Sequence, residues 1–226
     1  MCVHFREDLP YVLRSINLQT RPAEKIGIVG RTGSGKSSLF TALARLVEIS
    51  SGKICIDTVD IKKVNLRDLR SKLCIIPQDP LIFSGTLREN LDPLGKRPEA
   101  QIVKAVEKCQ LLGLVHTLGG LDQDVGENGH LLSTGQKQLV CLARAILVNA
   151  KVCSPHFPLS KTPSTSHSRM RLHVFILLQI LCIDEATANV DQETDKVIQT
   201  TLRNYFGQTT VITIAHRVPT VLHCDR

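Results

Sequence analysis

Eight consecutive residues have types and spacing that point to a definite chemistry: Gly30-Arg31-Thr32-Gly33-Ser34-Gly35-Lys36-Ser37. They fit G-x-x-x-x-G-K-[ST], the pattern of a phosphate-binding loop. Its glycines let the backbone wrap round phosphate oxygens with N–H groups turned inward. Lys36 can reach the β- and γ-phosphates of a nucleotide, and the Ser37 hydroxyl can ligate Mg²⁺. A second pair is Asp184-Glu185, which follows the apolar run Ile180-Leu181-Cys182-Ile183. A buried strand ending in acids delivers them where open α/β sheets bind ligands. There Asp184 would hold Mg²⁺, directly or through water, and Glu185 would polarise an attacking water. A third stretch, Leu132-Ser133-Thr134-Gly135-Gln136, opens a helix about a hundred residues after the loop. Ser133 can cap that helix, and Gly135 allows a backbone to come close.

The elements that must position these groups are legible. Lys25-Ile26-Gly27-Ile28-Val29 reads as a short apolar strand before the loop, and residues 38–46 read as a helix after it. The helix start adds a partial positive charge beside the phosphates. Upstream, Val3-His4-Phe5, Val12-Leu13 and Ile16–Gln19 read as short strands, broken by Pro22. Lys53–Asp57 alternates as a strand, Leu66–Leu73 is a short helix, and Leu73–Pro77 is a buried strand ended by proline. From Thr86 onward the pattern turns helical, with Ile102, Ala105, Val106 and Cys109 on one face. Thr134–Val148 and Glu193–Leu202 are amphipathic helices, and Thr209–Ala215 is a last buried strand ending in His216. Alternating strands and helices imply an α/β fold with a largely parallel core.

Composition sets bounds. The chain has 226 residues and 42% hydrophobic content, enough for one domain with a real core. Net charge is +7. Residues 152–179 hold Lys161, Arg169 and Arg171 and no acid, so they supply three of those seven units. The remaining +4 is ordinary and does not imply nucleic-acid binding. None of the eight cysteines forms a C-x-x-C pair, and several lie in apolar runs. They read as small buried hydrophobes of a reducing compartment. The longest apolar run, Leu172–Ile183, is far short of the roughly 20 residues a membrane span needs.

With these residues in this order, the chain resembles the nucleotide-binding domain of ATP-binding cassette (ABC) transporters. Leu132–Gln136 is similar to the family's LSGGQ signature, with Thr134 at the middle glycine. Gln78 looks like the Q-loop glutamine that senses Mg²⁺ and water. Ala188-Asn189-Val190-Asp191 looks like the D-loop, and His216 like the switch histidine that contacts the γ-phosphate. Phe5 looks like the A-loop aromatic that stacks on adenine. As lone residues Phe5 reads as core, His216 as a strand cap and Gln78 as a loop residue. The stretches Ile28–Gly33, Phe83–Pro93 and Gln138–Ala145 are similar to the C, or multidrug-resistance-associated, subfamily. A non-glycine inside the signature is typical of that subfamily's second nucleotide-binding domain.

The resemblance implies an α/β fold: a P-loop ATPase core of ABC type, a small antiparallel β part and a helical subdomain over about 79–150. It implies ATP and Mg²⁺ as cofactors. The catalytic set would be Glu185, His216 and Gln78, and the metal set Ser37, Gln78 and Asp184. Nucleotide would be held by Phe5, Gly30, Thr32, Gly33, Ser34, Gly35, Lys36, Ser37 and Ser38, with Ser133, Gly135, Gln136 and Asp191. The implied partners are a second nucleotide-binding domain, packed head to tail, and the transmembrane domains of an exporter, with no nucleic acid. The implied location is the cytoplasmic face of a membrane transporter, although this chain carries no transmembrane segment of its own. A chromosome-maintenance ATPase is disfavoured by the short gap between loop and signature. A tandem soluble ABC protein and a non-catalytic, truncated or aberrantly spliced isoform stay open as alternatives.

Residues 152–179 break the pattern: Ser, Pro, Thr and His give way to an apolar run. Residues 1–151 and 180–226 read as the two parts of one domain, the second ending ten residues past His216. Joining Lys151 to Ile180 restores a helix-to-strand turn of ordinary length. Val152 can encode a splice donor, Gln179 an acceptor, and Phe175–Leu178 a pyrimidine-rich tract, so the segment reads as a translated intron. The rival is a regulatory Ser/Thr-rich insert. Transcript reads across Lys151–Ile180 are expected to reveal a spliced form without the segment. An uninterrupted exon with no such form would sink the intron reading.

Overall fold

The computed structural model describes residues 1–3, 11–149, 180–216 and 218–226. The elements run β1 (Lys25–Val29), α1 (Lys36–Leu43), β2 (Cys55–Ile56), β3 (Val59–Asp60), α2 (Leu66–Ser71), β4 (Leu73–Ile76), α3 (Leu87–Leu91), α4 (Glu99–Lys108), α5 (Leu112–Leu118), α6 (Thr134–Asn149), β5 (Ile180–Asp184), α7 (Gln192–Tyr205), β6 (Thr210–Ala215) and α8 (Val218–Val221). Phe5 and the segment 152–179, including its expected splice boundaries, lie outside the described residues.

A four-stranded sheet in the order β1-β6-β5-β4 forms the centre, and every pairing in it is parallel. Parallel strands covered on both faces read as continuous apolar runs, and β5 and β6 do so. Alternation along them then assigns neighbours to opposite layers. Leu181 and Val211 pack into the cluster that holds α4 and α6. Cys182, Ile212 and Ile214 pack against Phe40 and Leu43 of α1 and Leu69 of α2. Burial pushes the thiols of Cys74, Cys109 and Cys182 up to about 12, so they behave as small apolar groups.

The helical layer is α3 to α6. A Thr86–Glu89 capping box starts α3. Asn90 on α3 is fully buried; its Nδ2 donates to the carbonyls of Phe83, at 2.9 Å, and Thr86, at 3.0 Å. Arg144 on α6 donates to Asn90 Oδ1 at 2.9 Å and to the Leu81 carbonyl at 2.6 Å. Those bonds fasten the loop after β4 to α6. At the far end of the sheet, the Lys25 ammonium donates to the carbonyls of Ala23, Phe206, Gly207 and Thr209 at 2.6–3.1 Å. It ties the start of β1 to the turn between α7 and β6.

The small antiparallel part is the pair β2–β3, with Cys55 opposite Asp60 and Ile56 opposite Val59. Asp57 and Thr58 between them both have positive φ, 48° and 69°. Left-handed conformation at both turn positions matches the right-handed twist of a two-residue hairpin. The β pairing is shorter than the alternation predicts. Only Cys55–Ile56 of Lys53–Asp57 pairs as a strand. Val3 and Leu13 form a single bridge, and Ile16–Gln19 is not a strand. The reason is a missing pairing: Ile16 exchanges backbone bonds with Met1 in both directions, and no described strand pairs with the residues that follow. Among the described residues no helix is long and apolar enough to cross a membrane.

Candidate functional site

The site forms where β1, β5 and β6 end. The parallel register pairs Val29 with Ala215 and Asp184 with Ile214. Residues just past those positions, Gly30, His216 and Glu185, are therefore brought to one edge of the sheet. The first link is the loop. Gly33 and Gly35 have φ of 78° and 84°, values that side chains rarely adopt. A Cβ on Gly35 would also lie 3.0 Å from the Val12 carbonyl. Gly35 is the N-cap of α1, so Lys36 and Ser37 open the helix with their N–H groups unsatisfied within it.

The charged groups inside are few and close. Lys36 Nζ donates to the carbonyls of Gly30 and Arg31, both at 2.8 Å, and lies 4.0 Å from Glu185 Oε1. The side chains of Lys36 and Glu185 are 8% and 7% exposed. His216 Nε2 lies 2.6 Å from Glu185 Oε1 and 3.4 Å from Thr32 Oγ1. With its proton on Nε2, the imidazole donates to the carboxylate. Glu185 has φ of 50°, a left-handed conformation that carries a cost of about 1–2 kcal/mol off glycine. Two bonds hold it there: its N–H donates to the Ile214 carbonyl at 2.9 Å, and its carbonyl accepts from Ala188 N–H at 2.9 Å. This turn swings the carboxylate off the strand direction and towards Lys36.

A cavity of about 550 Å³ opens over these groups. Thr32, Gly33, Gly35, Lys36, Ser37, Ser38, Gln78, Glu185 and His216 all line it. Val12, Thr187 and Thr220 line it as well, with no assignment from the sequence, and so do Ala188 and Asn189 of the stretch that resembles the D-loop. Thr187 to Asn189 follow the Asp-Glu pair directly, so proximity in sequence was a signal for them. Val12 carried no signal, because its place depends on tertiary packing against Gly35. Gly30 and Ser34 shape the loop from behind: a Cβ on Gly30 would meet Ser34 Oγ at 3.2 Å.

The donor set fits a hard divalent cation. Asp184 Oδ1 is buried without a hydrogen-bond partner among the described residues. A carboxylate oxygen in that condition is costly unless a cation or ordered water meets it. The Ser37 hydroxyl and Gln78 line the adjoining cavity. No group of three or more His, Cys, Asp or Glu residues among the described residues could hold a metal alone.

Besides Gly30, Ser34 and Asp184, which do not line the cavity, four more predicted residues stand apart from it. Ser133, Gly135, Gln136 and Asp191 do not line it. Ser133 and Gln136 satisfy each other: Ser133 N–H donates to Gln136 Oε1 at 2.9 Å, and Gln136 N–H to Ser133 Oγ at 3.2 Å. This reciprocal box starts α6. Asp191 is the N-cap of α7 and accepts from Thr194 N–H at 2.9 Å and Thr194 Oγ1 at 2.7 Å. The Thr194 N–H, then its hydroxyl, hold the carboxyl below the usual carboxylate range. Gly135 is buried against that cap. A Cβ there would lie 2.9 Å from Thr194 Oγ1 and 3.4 Å from Asp191 Oδ1. The close approach that Gly135 permits is thus made by α7 of the same chain.

A family model described as ABC transporter matches residues 13–154. The chain is 46% identical over 222 residues to the ATP-binding cassette sub-family C member 10 of Mus musculus, covering 98% of this chain and 13% of that protein. It is 46% identical over 225 residues to the ATP-binding cassette sub-family C member 2 of Homo sapiens, covering 99% and 13%. Against the metal resistance protein YCF1 of Saccharomyces cerevisiae it is 45% identical over 224 residues, covering 98% and 13%. The chain therefore spans 13% of the length of these curated relatives. Among solved structures, one described as a bacterial Atm1-family ABC exporter with ATP bound is similar with a TM-score of 0.81 and 29% identity, over 99% of this chain and 34% of that one.

The Gly135 packing is testable in this chain. Gly135→Ala is expected to lower stability by about 1–3 kcal/mol, the usual cost of overpacking. Adding Thr194→Ala, which removes the nearest atom, is expected to restore part of it. Thermal melts of the two variants check this; an unchanged melt for Gly135→Ala would place α7 farther away than the structure has it.

Proposed function

The chain belongs to the ABC transporter family as an ATP-binding, ATP-hydrolysing domain with relatives in sub-family C, and we propose that it couples ATP hydrolysis to substrate export through a membrane transporter. The observation that carries this is the convergence of Lys36, Ser37, Gln78, Glu185 and His216 on one cavity at the carboxyl ends of parallel strands. Four separated stretches of sequence meet there, and each brings a group suited to hydrolysis of the β–γ phosphoanhydride bond.

In this reading the N–H groups of the loop and the start of α1 receive the phosphates. The Lys36 ammonium leaves the Gly30 and Arg31 carbonyls for the β- and γ-phosphate oxygens, exchanging two neutral acceptors for charged ones. Ser37, Asp184 and Gln78 would hold Mg²⁺, which would neutralise phosphate charge when bound. Glu185 orients the attacking water and takes its proton. His216, which now donates to Glu185, turns its Nε2–H to the γ-phosphate and leaves the carboxylate basic. Phe5 stacks on adenine.

Ser133, Gly135 and Gln136 serve a second nucleotide, held by a partner nucleotide-binding domain packed head to tail. Their exclusion from this chain's cavity supports that division of labour. Asp191 belongs to the same contact. Closure of the two domains over ATP moves the transmembrane domains of the parent transporter, with this domain on the cytoplasmic side. The Thr134 signature supports a second nucleotide-binding domain of the C subfamily. Gly119–Asp122 and Leu181–Ala188 resemble multidrug-resistance-associated protein 7 and favour kinship with it. Residues 1–151 and 180–226 form the two parts of one ABC domain, and 152–179 is a retained intron.

Lys36→Ala is expected to weaken Mg-ATP binding by roughly tenfold or more, from loss of charge-assisted bonds. Equal affinities would remove the loop from the account. In a full-length transporter carrying this domain, Glu185→Gln is expected to cut turnover by about 10²–10⁴-fold with ATP binding nearly intact. Loss of binding with turnover per bound ATP retained would reverse that role.

A further inference from the structure

Gln138 is an unusual core residue. It lies one turn into α6 and is 2% exposed. Its Nε2 donates to two consecutive backbone carbonyls, Pro77 at 3.3 Å and Gln78 at 2.8 Å. Both partners are acceptors, so the amide nitrogen must face them. Its Oε1 is buried and has no hydrogen-bond partner among the described residues. A half-satisfied buried amide is a liability to stability, and an apolar side chain of similar length would pack there without it. What the amide adds is a directional hold on the main chain at Gln78.

That hold joins two parts of the molecule with different tasks. Gln78 is itself exposed, in irregular chain just after β4, and lines the same cavity as Lys36 and Glu185. Gln138 sits two residues after Gln136, within the helix that the Ser133–Gln136 box opens. Farther along α6, Arg144 donates to the Leu81 carbonyl. The loop after β4 is thus fastened to α6 at two points, and Gln138 is the one at the cavity.

We propose that Gln138 is a positioning residue whose amide clamps the main chain of Gln78 to the first turns of α6, so that the cavity-lining glutamine and the Ser133–Gln136 turn move as one unit. A shift of Gln78 on filling of its own chain's cavity then reaches the turn that serves a partner's nucleotide, through two hydrogen bonds and one rigid helix. This rests on the reading of Gln78 as a group that acts through Mg²⁺ and its water.

The test compares ATP affinity with Mg²⁺ and with the metal chelated, in the full chain, for wild type, Gln78→Ala, Gln138→Met, Gln138→Leu and Gln78→Ala/Gln138→Met. Thermal midpoints are measured alongside. Gln78→Ala and Gln138→Met are each expected to reduce the Mg²⁺-dependent gain in affinity by about fivefold, the scale of one lost hydrogen bond. The double variant is expected to lose no more than either, since both act on one path. Both apolar variants are expected to stay folded with midpoints close to wild type, since they remove one unmet amide oxygen and leave the Pro77 and Gln78 carbonyls without this donor. Mg-ATP is expected to change hydrogen exchange at residues 133–137 in wild type and not in Gln138→Met. If Gln78→Ala keeps the full gain, the Gln78 reading falls and the clamp falls with it. If Gln78→Ala loses the gain while Gln138→Met and Gln138→Leu keep it, the clamp alone is overturned. Additive losses overturn it as well. A collapsed melt in both apolar variants makes Gln138 a structural residue and overturns the proposal.

Discussion

Everything at the site depends on three strands running the same way in register. Because β1, β6 and β5 are parallel neighbours, their carboxyl ends meet at one edge. A glycine loop, a histidine and a carboxylate that are up to 186 positions apart in sequence become contacts there: Lys36 with Glu185, Thr32 with His216. A slip of one residue in either pairing would turn these side chains to the opposite face. The apolar runs of β5 and β6, with alternate residues in two different cores, resist that slip. The helix dipole of α1 and the unsatisfied N–H groups at its start then point at the same place.

The second constraint is charge in a confined space. Lys36 and Glu185 are nearly excluded from solvent, and a buried charge needs partners. Each has them: Lys36 in two loop carbonyls, Glu185 in His216. These partners are exchangeable, because each can release its charge to a phosphate oxygen or a water without leaving a buried charge bare. Asp184 is the exception, with one oxygen unmet among the described residues. That unmet oxygen is the feature a cation beside the cavity would satisfy.

Much of this was legible in the sequence. The strand, loop and helix around Lys36 follow from local spacing, as do the burial of β5 and the acids at its end. The positions of Gln78 and His216 in the cavity came from family resemblance and order along the chain. What could not be read depends on tertiary contact. Val12 lines the cavity only because it packs over Gly35. The glycine at 135 is needed by Thr194, almost sixty residues later, and nothing local says so. Gln138 looked like one more helix residue until its amide was found on the carbonyls of Pro77 and Gln78. Ile16–Gln19 misled in the other direction: its alternation is strand-like, but a strand needs a partner, and no described strand pairs with it.

The central claim is that nucleotide phosphates occupy the cavity between the loop and the ends of β5 and β6. A high-resolution structure of the Glu185→Gln chain with Mg-ATP tests it most directly. The account predicts Lys36 Nζ on phosphate oxygens and off the carbonyls of Gly30 and Arg31, His216 Nε2 towards the γ-phosphate, and the metal beside Ser37 and Asp184. ATP bound elsewhere, or a Lys36 that stays on its own loop with the phosphates present, would contradict it.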